Sequence, residues 1–200
     1  MNENYYETEV KIYLADPQQF LENLTRIGAE KVNDRVFERN FRFDRNNRSL
    51  KKKGMVLRLR QDDRIRLTYK ESGQYTEGIA QRFEAEVEVG DWDNMLLILY
   101  KLGYHPYMSY EKYRTTFTYH NCEIVLDELP YGDFCEVEGS VEEIEFCLQK
   151  LGLENSPRLT SNYSGLFERV KKELGLNLKD LTFENFKGIT VPSYLFTYSS

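Results

Sequence analysis

The chain has 200 residues, 40% of them hydrophobic and 30% charged, with a net charge of −6 at neutral pH. That length and balance suit one globular domain that buries a core without disulfide staples, and the acidic balance argues against a surface that coats nucleic acid. No apolar run approaches the ~18 residues of a membrane-spanning helix, so no membrane association is expected.

The opening residues Met1 to Tyr6 carry neither a basic nor an apolar signal region. Cys122, Cys135 and Cys147 are odd in number and lack metal spacing, and they read as reduced, mostly buried thiols. A cytoplasmic location is therefore expected. His105 and His120 are too few and too scattered for a zinc site.

The first predicted strand, residues 7–11, reads Glu-Thr-Glu-Val-Lys. Strand alternation puts Glu7, Glu9 and Lys11 on one face and Thr8, Val10 and Ile12 on the other. Asp16-Pro17 opens a helix in which Phe20, Leu21, Leu24 and Ile27 recur at helical spacing until Gly28. Residues 32–44 read as a long strand with Val32, Val36, Phe41 and Phe43 as its apolar points. Asn46-Asn47 and the run Lys51-Lys52-Lys53-Gly54 read as a turn, the lysines as a solvated loop. Residues 55–60 alternate cleanly, with Leu57 and Leu59 opposing Arg58 and Arg60. Past Asp62-Asp63, Ile65, Leu67 and Tyr69 oppose Arg64, Arg66, Thr68 and Lys70, and residues 82–89 repeat the pattern with Arg82, Glu84 and Glu86.

Asp91 is the N-cap of a second predicted helix that runs through Trp92, Met95, Leu96 and Leu99 to Gly103. Residues 110–117 form a strand with Lys112 and Arg114 on one face, and a turn at His120-Asn121 leads into residues 123–128. Pro130 to Asp133 turns the chain again, and residues 134–138 carry Glu136 and Glu138 together. Ser140 with Glu143 makes a capping box for a third helix ending at Gly152. A fourth helix is expected over 162–174 and a helical or looped coda over 178–187; the stretch from Gly188 has no assigned place.

This order implies a mostly antiparallel meander with helices on the apolar faces. On an open sheet the charged faces would meet solvent; closing the sheet into a barrel would collect them in one lumen. The charges repeat as i, i+2 pairs of one sign, with bases on some strands and acids on others. That sorting suits a polyphosphate site, where arginine and lysine grip phosphate oxygens and carboxylates hold bridging hard cations. No glycine-rich P-loop is present, which argues against a Walker-type site.

Seven motifs in consistent order, within residues 5–175, resemble the CYTH superfamily, or triphosphate tunnel metalloenzymes. These are Glu7-x-Glu9-x-Lys11, Arg58-x-Arg60, Thr68-x-Lys70, Arg82-x-Glu84-x-Glu86, Lys112-x-Arg114, Asp127, and Glu136-x-Glu138 after Gly132-Asp133-Phe134. The resemblance implies an α+β fold: an eight-stranded antiparallel closed barrel, a tunnel for a triphosphate, with helices packed outside. Residues 1–188 would form one such domain and 189–200 a C-terminal tail of unassigned role. Lys11, Arg58, Arg60, Lys70, Arg82, Lys112 and Arg114 would hold phosphates, with Lys11 and Glu9 also catalytic. Glu7, Glu9, Asp127, Glu136 and Glu138 would hold Mg²⁺ or Mn²⁺, supported by Glu84 and Glu86. One departure is Arg42-Phe43-Asp44, where many members carry an aromatic pair before the aspartate. Arg42 could be an extra phosphate contact or an outward-facing charge.

The family includes class IV adenylate cyclases, thiamine triphosphatases and inorganic triphosphatases. The implied function is metal-dependent hydrolysis of inorganic triphosphate, thiamine triphosphate or a nucleotide. The alternatives are cyclisation of ATP to cyclic AMP and pyrophosphate, and non-catalytic binding of polyphosphate or nucleotide. The expected partner is a small-molecule triphosphate, not nucleic acid or membrane, with a homodimer left open.

Overall fold

A computed structural model describes residues 5–197. Nine strands form one antiparallel sheet: β1 (Tyr6–Leu14), β2 (Glu30–Asp44), β3 (Val56–Gln61), β4 (Ile65–Lys70), β5 (Gln74–Thr76), β6 (Ile79–Glu88), β7 (His105–Tyr119), β8 (Cys122–Leu129) and β9 (Gly132–Glu138). Their order is β1-β9-β8-β7-β2-β3-β4-β6-β5, and β1 also pairs with β6 from Tyr6↔Phe83 to Glu9↔Ala80. That extra pairing joins the ends, so eight strands make a ring. The ninth, β5, adds only to the first residues of β6, from Thr76↔Ile79 to Gln74↔Gln81. The expected count of eight thus describes the ring, and the short β5 lies between the strands expected over 64–70 and 82–89, where no strand is expected.

The helices sit outside the ring and cover three apolar clusters. α1 (Pro17–Ile27) and α4 (Val141–Leu151) bury Phe20, Leu24, Ile144 and Leu148 against Val10, Ile12, Ile124 and Val137. α3 (Trp92–Lys101) covers Phe43 and Leu59 through Leu99. α5 (Tyr163–Leu174) buries Leu166, Phe167 and Val170 against Met108, Tyr131 and Phe134. Each cluster buries several large side chains, at ~1.5–3 kcal/mol apiece. The helix ends follow the sequence signals: Asp16, Asp91, Ser140 and Asn162 accept the capping N–H bonds, and Gly28, Gly152 and Gly175 close helices in the left-handed region.

Two segments differ from expectation. The turn after Asn47 contains a short helix, α2 (Ser49–Lys52). The stretch beyond Gly188, unplaced in the sequence, packs on the third cluster: α6 (Tyr194–Thr197) buries Leu195 and Phe196, and the Phe196 ring stacks on Tyr13 and Tyr131. Residues 1–4 and 198–200 lie outside the described residues. No helix among the described residues is long and apolar enough to cross a membrane.

Candidate active site

The outer faces of the strands are taken by the apolar clusters, so alternation leaves the charged side chains inside the ring. There they line one cavity of about 310 Å³. Thirteen of the fourteen charged residues of the motifs border it; Asp127 does not, and neither does Thr68. Asp127 lies fully buried behind the wall and accepts from Lys112 (2.8 Å), twice from Arg114 (2.7 and 2.6 Å) and from the Tyr163 hydroxyl (2.8 Å).

On β1, Glu7 accepts from Lys70 (2.7 Å) and Arg82 (3.1 Å), and Glu9 from Arg82 (2.8 Å). Lys11 pairs with Glu136 at 2.8 Å, and Arg114 reaches the other Glu136 oxygen at 2.7 Å. Arg58 donates to Thr68 (3.2 Å) and to the Tyr110 hydroxyl (3.3 Å), while Arg60 reaches Glu86 (3.2 Å) and Glu38 (3.4 Å). Lys70 also pairs with Glu84.

Burial and pairing set the protonation states. Burial pushes the Glu7 carboxyl up, but Lys70 and Arg82 outweigh it and hold Glu7 well below the usual carboxylate range. Glu136 is held low in the same way by Lys11, Arg114 and Lys112. Burial works against a charged Lys11, yet Glu136 and Glu9 raise it to about 12, so it stays a cation. Glu84 is pushed up to about 7 by burial and by sharing a hydrogen bond with Glu7. Glu138 rises to about 8 through burial and the repulsion of Glu7, Glu123 and Glu9. Its register partners are Glu9 on β1 and Glu123 on β8, and no cation lies within salt-bridge distance of it among the described residues.

Several wall residues escaped sequence reasoning. Glu38, 2% exposed, sits within 3.4–3.8 Å of Arg60, Lys112 and Arg114. A signal existed: Glu38, Asn40, Arg42 and Asp44 alternate on β2 and all are buried. Arg42, whose direction was left open, faces the cavity. Tyr110 and Arg66 sit in step with the motif residues of their own strands. Tyr163 carried no pattern; it lies at the first turn of α5, its ring 4.6 Å from the Lys11 ammonium.

Seven buried polar atoms among the described residues lack a hydrogen-bond partner: Glu38 Oε2, both amide atoms of Asn40, and Nε of Arg42, Arg58, Arg60 and Arg66. All belong to inward-facing positions of β2, β3 and β4. Buried orphaned donors of this kind mark a place where water or an anion belongs.

The CYTH domain matches residues 5–155, from the first strand to just past α4. This chain belongs to the CYTH family. The CYTH chain is 28% identical over 141 residues to a Methanocaldococcus jannaschii protein named Putative adenylate cyclase, covering 69% of this chain and 79% of that one. Its fold matches a Pyrococcus horikoshii protein with a TM-score of 0.69 at 26% identity, covering 81% of this chain and 98% of the other. A Hippeastrum protein, described as an adenylyl cyclase candidate with a dominant triphosphatase activity, matches with a TM-score of 0.61 at 18% identity, covering 81% and 95%. In this CYTH protein, α5 and its Tyr163 fall beyond the matched residues.

Proposed function

We propose that this CYTH protein hydrolyses the phosphate chain of a small-molecule triphosphate inside its ring, with a divalent cation as cofactor. The observation that carries this reading is the set of buried arginine Nε atoms without hydrogen-bond partners on the wall of a cavity lined almost wholly by charge. Nine cations border that cavity against seven carboxylates. A triphosphate presents several negative charges and many acceptor oxygens along one short chain, which guanidinium forks match as well as they match carboxylates, so it exchanges one set of ion pairs for another.

Lys11, Arg58, Arg60, Lys70, Arg82, Lys112 and Arg114 hold the phosphates. Lys11, kept protonated by Glu136, serves as a fixed positive charge at the phosphoryl group under attack. Glu9 takes the proton of the attacking water as the bond to the leaving diphosphate breaks. No three His, Cys, Asp or Glu side chains among the described residues converge on a metal position as they stand. The donor chemistry nevertheless fits a hard cation: Glu138 is raised by neighbouring carboxylates and has no cation of its own. Glu7, Glu9 and Glu138 are the first ligands in this reading. Glu136 would join them where Lys11 and Arg114 turn to substrate, whereas Asp127, expected as a ligand, lies behind the wall and would orient Lys112 and Arg114 instead. Bound Mg²⁺ or Mn²⁺ supplies neutralisation of phosphate charge and a more acidic water.

A second reading, ATP cyclisation, is supported by the name of the M. jannaschii relative. The charge on the wall favours hydrolysis: sixteen of the twenty-one residues that line it are Lys, Arg or Glu, and its two tyrosines, Tyr110 and Tyr163, have their hydroxyls engaged by Arg58 and Asp127. Incubation with tripolyphosphate, thiamine triphosphate and ATP in Mg²⁺ or Mn²⁺, followed by product chromatography, decides between them. Orthophosphate is the expected product. Pyrophosphate with cyclic AMP would establish the cyclase, and tight binding without turnover would leave a binding module.

A further inference from the structure

The connection between β2 and β3, residues 45–55, carries Arg45, Arg48, Lys51, Lys52 and Lys53, all exposed on a chain whose net charge is −6. Among the described residues, the carboxylate within 4.0 Å of these five is Glu168, at Lys51. The loop is held in shape. Buried Asp44 accepts from the backbone N–H groups of Arg45 (2.7 Å), Leu50 (3.0 Å) and Lys51 (2.9 Å), and Asn47 accepts from Ser49 (3.1 Å). A buried carboxylate that accepts from three backbone donors holds the backbone that carries the exposed lysines.

The loop joins two strands of the cavity wall. The strand before it supplies Arg42 to the cavity wall and the strand after it supplies Val56 and Arg58. Glu168, the partner of Lys51, lies on α5, whose first residues also border the cavity. Arg42 is 8% exposed, and its Nε has no partner at the point where wall meets loop. Arg48 stacks over Tyr107 at 4.5 Å and Arg45 over Tyr104 at 5.2 Å. The aromatic rings of this rim are thus already engaged by guanidinium groups, which favours a ligand made of phosphates over one read by its bases.

We propose that the 45–55 loop is a docking rim for linear inorganic polyphosphate, gripping outside the ring the phosphates that follow those held inside. The proposal rests on the triphosphate-chain reading above and extends it to longer chains. Its test compares the natural protein with the triple variant K51Q/K52Q/K53Q, by direct binding and by turnover, on tripolyphosphate and on linear polyphosphate a few tens of phosphates long.

The expected result is unchanged binding and turnover of tripolyphosphate in the variant, with long-chain affinity lowered roughly tenfold or more at low salt. The slope of log affinity against log salt should flatten by about 2 for the long chain, as three phosphate contacts disappear. Equal long-chain affinity in both proteins overturns the proposal, and so does an equal loss on tripolyphosphate, which would place the lysines in the inner site. Tighter binding of a 5′-triphosphorylated oligoribonucleotide than of polyphosphate of matched charge overturns it in favour of nucleic acid. Because binding is read separately, absence of tripolyphosphate turnover defeats the hydrolase reading while the variant still decides the rim.

Discussion

A carboxylate with 2% exposure and three cations around it, as at Glu38, cannot change charge without consequence. Glu38→Gln leaves Arg60, Lys112 and Arg114 facing one another with less compensation, and breaking such a buried arrangement costs about 3–5 kcal/mol. Urea unfolding is expected to show a loss of about 3 kcal/mol, because Asp127 and Glu136 still neutralise part of the charge; a loss below about 0.5 kcal/mol would show that those two suffice. Glu138 and Glu84 act in the opposite sense. Their folded carboxyls sit at about 8 and about 7, against 4.5 in a free chain, so the folded state binds protons that the unfolded state has already released. Stability contributed by these groups is therefore full below about pH 4.5 and lost as pH rises towards 8. Glu138 also reaches solvent, and water screens part of its repulsion. Without divalent ions, the melting temperature of the natural protein should fall between pH 5 and 8. Glu138→Gln should remove part of that slope while lowering metal-dependent turnover. An unchanged slope in the variant would show that Glu138 does not feel its carboxylate neighbours.

Among the elements, strands were legible wherever the two faces differed in kind. The Arg-x-Arg of β3 and the Lys-x-Arg of β7 announced themselves because their opposite faces are Leu57 and Leu59, or Tyr113 and Thr115. The inner face of β2 mixes an acid, an amide, an arginine and an aspartate, so one-sign pairing never appeared and Glu38 and Asn40 were overlooked. Tyr163 and the C-terminal segment were illegible for another reason. Their positions come from packing between distant elements, as where Leu159 donates its N–H to the Lys11 carbonyl at 2.8 Å and Leu181 bridges to Tyr110. One such crossing is tight enough to test. At Gly78, φ is +79° and an added Cβ would lie 2.6 Å from the Arg158 Cβ. Gly78→Ala therefore combines backbone strain with a clash and should destabilise by roughly 1–3 kcal/mol in denaturant unfolding. A neutral result would mean that the 153–162 segment moves aside freely.

For the molecule as a whole, the unusual feature is that its polar network lies in the middle and its apolar cores lie around it. The ring was legible through the resemblance of the seven motifs to the CYTH family, because alternation of charge alone fits an open sheet as well as a closed one. What no strand could disclose was the pairing of β1 with β6, which depends on closure. Charges collected this way are matched to one another until an anion arrives, so tripolyphosphate should act as a folding ligand. At about 100 times its dissociation constant it should add about 2.7 kcal/mol of stability, read as a rise in melting temperature that shrinks with added salt. No rise would argue that the internal ion pairs do not open for phosphate.

Closure also has a history in time. β1 is made first, yet its neighbours in the ring are β6 and β9, and the register with β9 runs as far as Glu138. On the ribosome, therefore, the first strand waits with both edges unpaired until most of the chain has emerged. Such long-range pairing folds slowly, and open edges invite association with other chains. Glu7, Glu9 and Lys11 are charged residues on that waiting strand, and charges on an exposed edge discourage just such pairing. The residues proposed to bind phosphate and metal in the finished protein thus guard its first strand while the ring is still open.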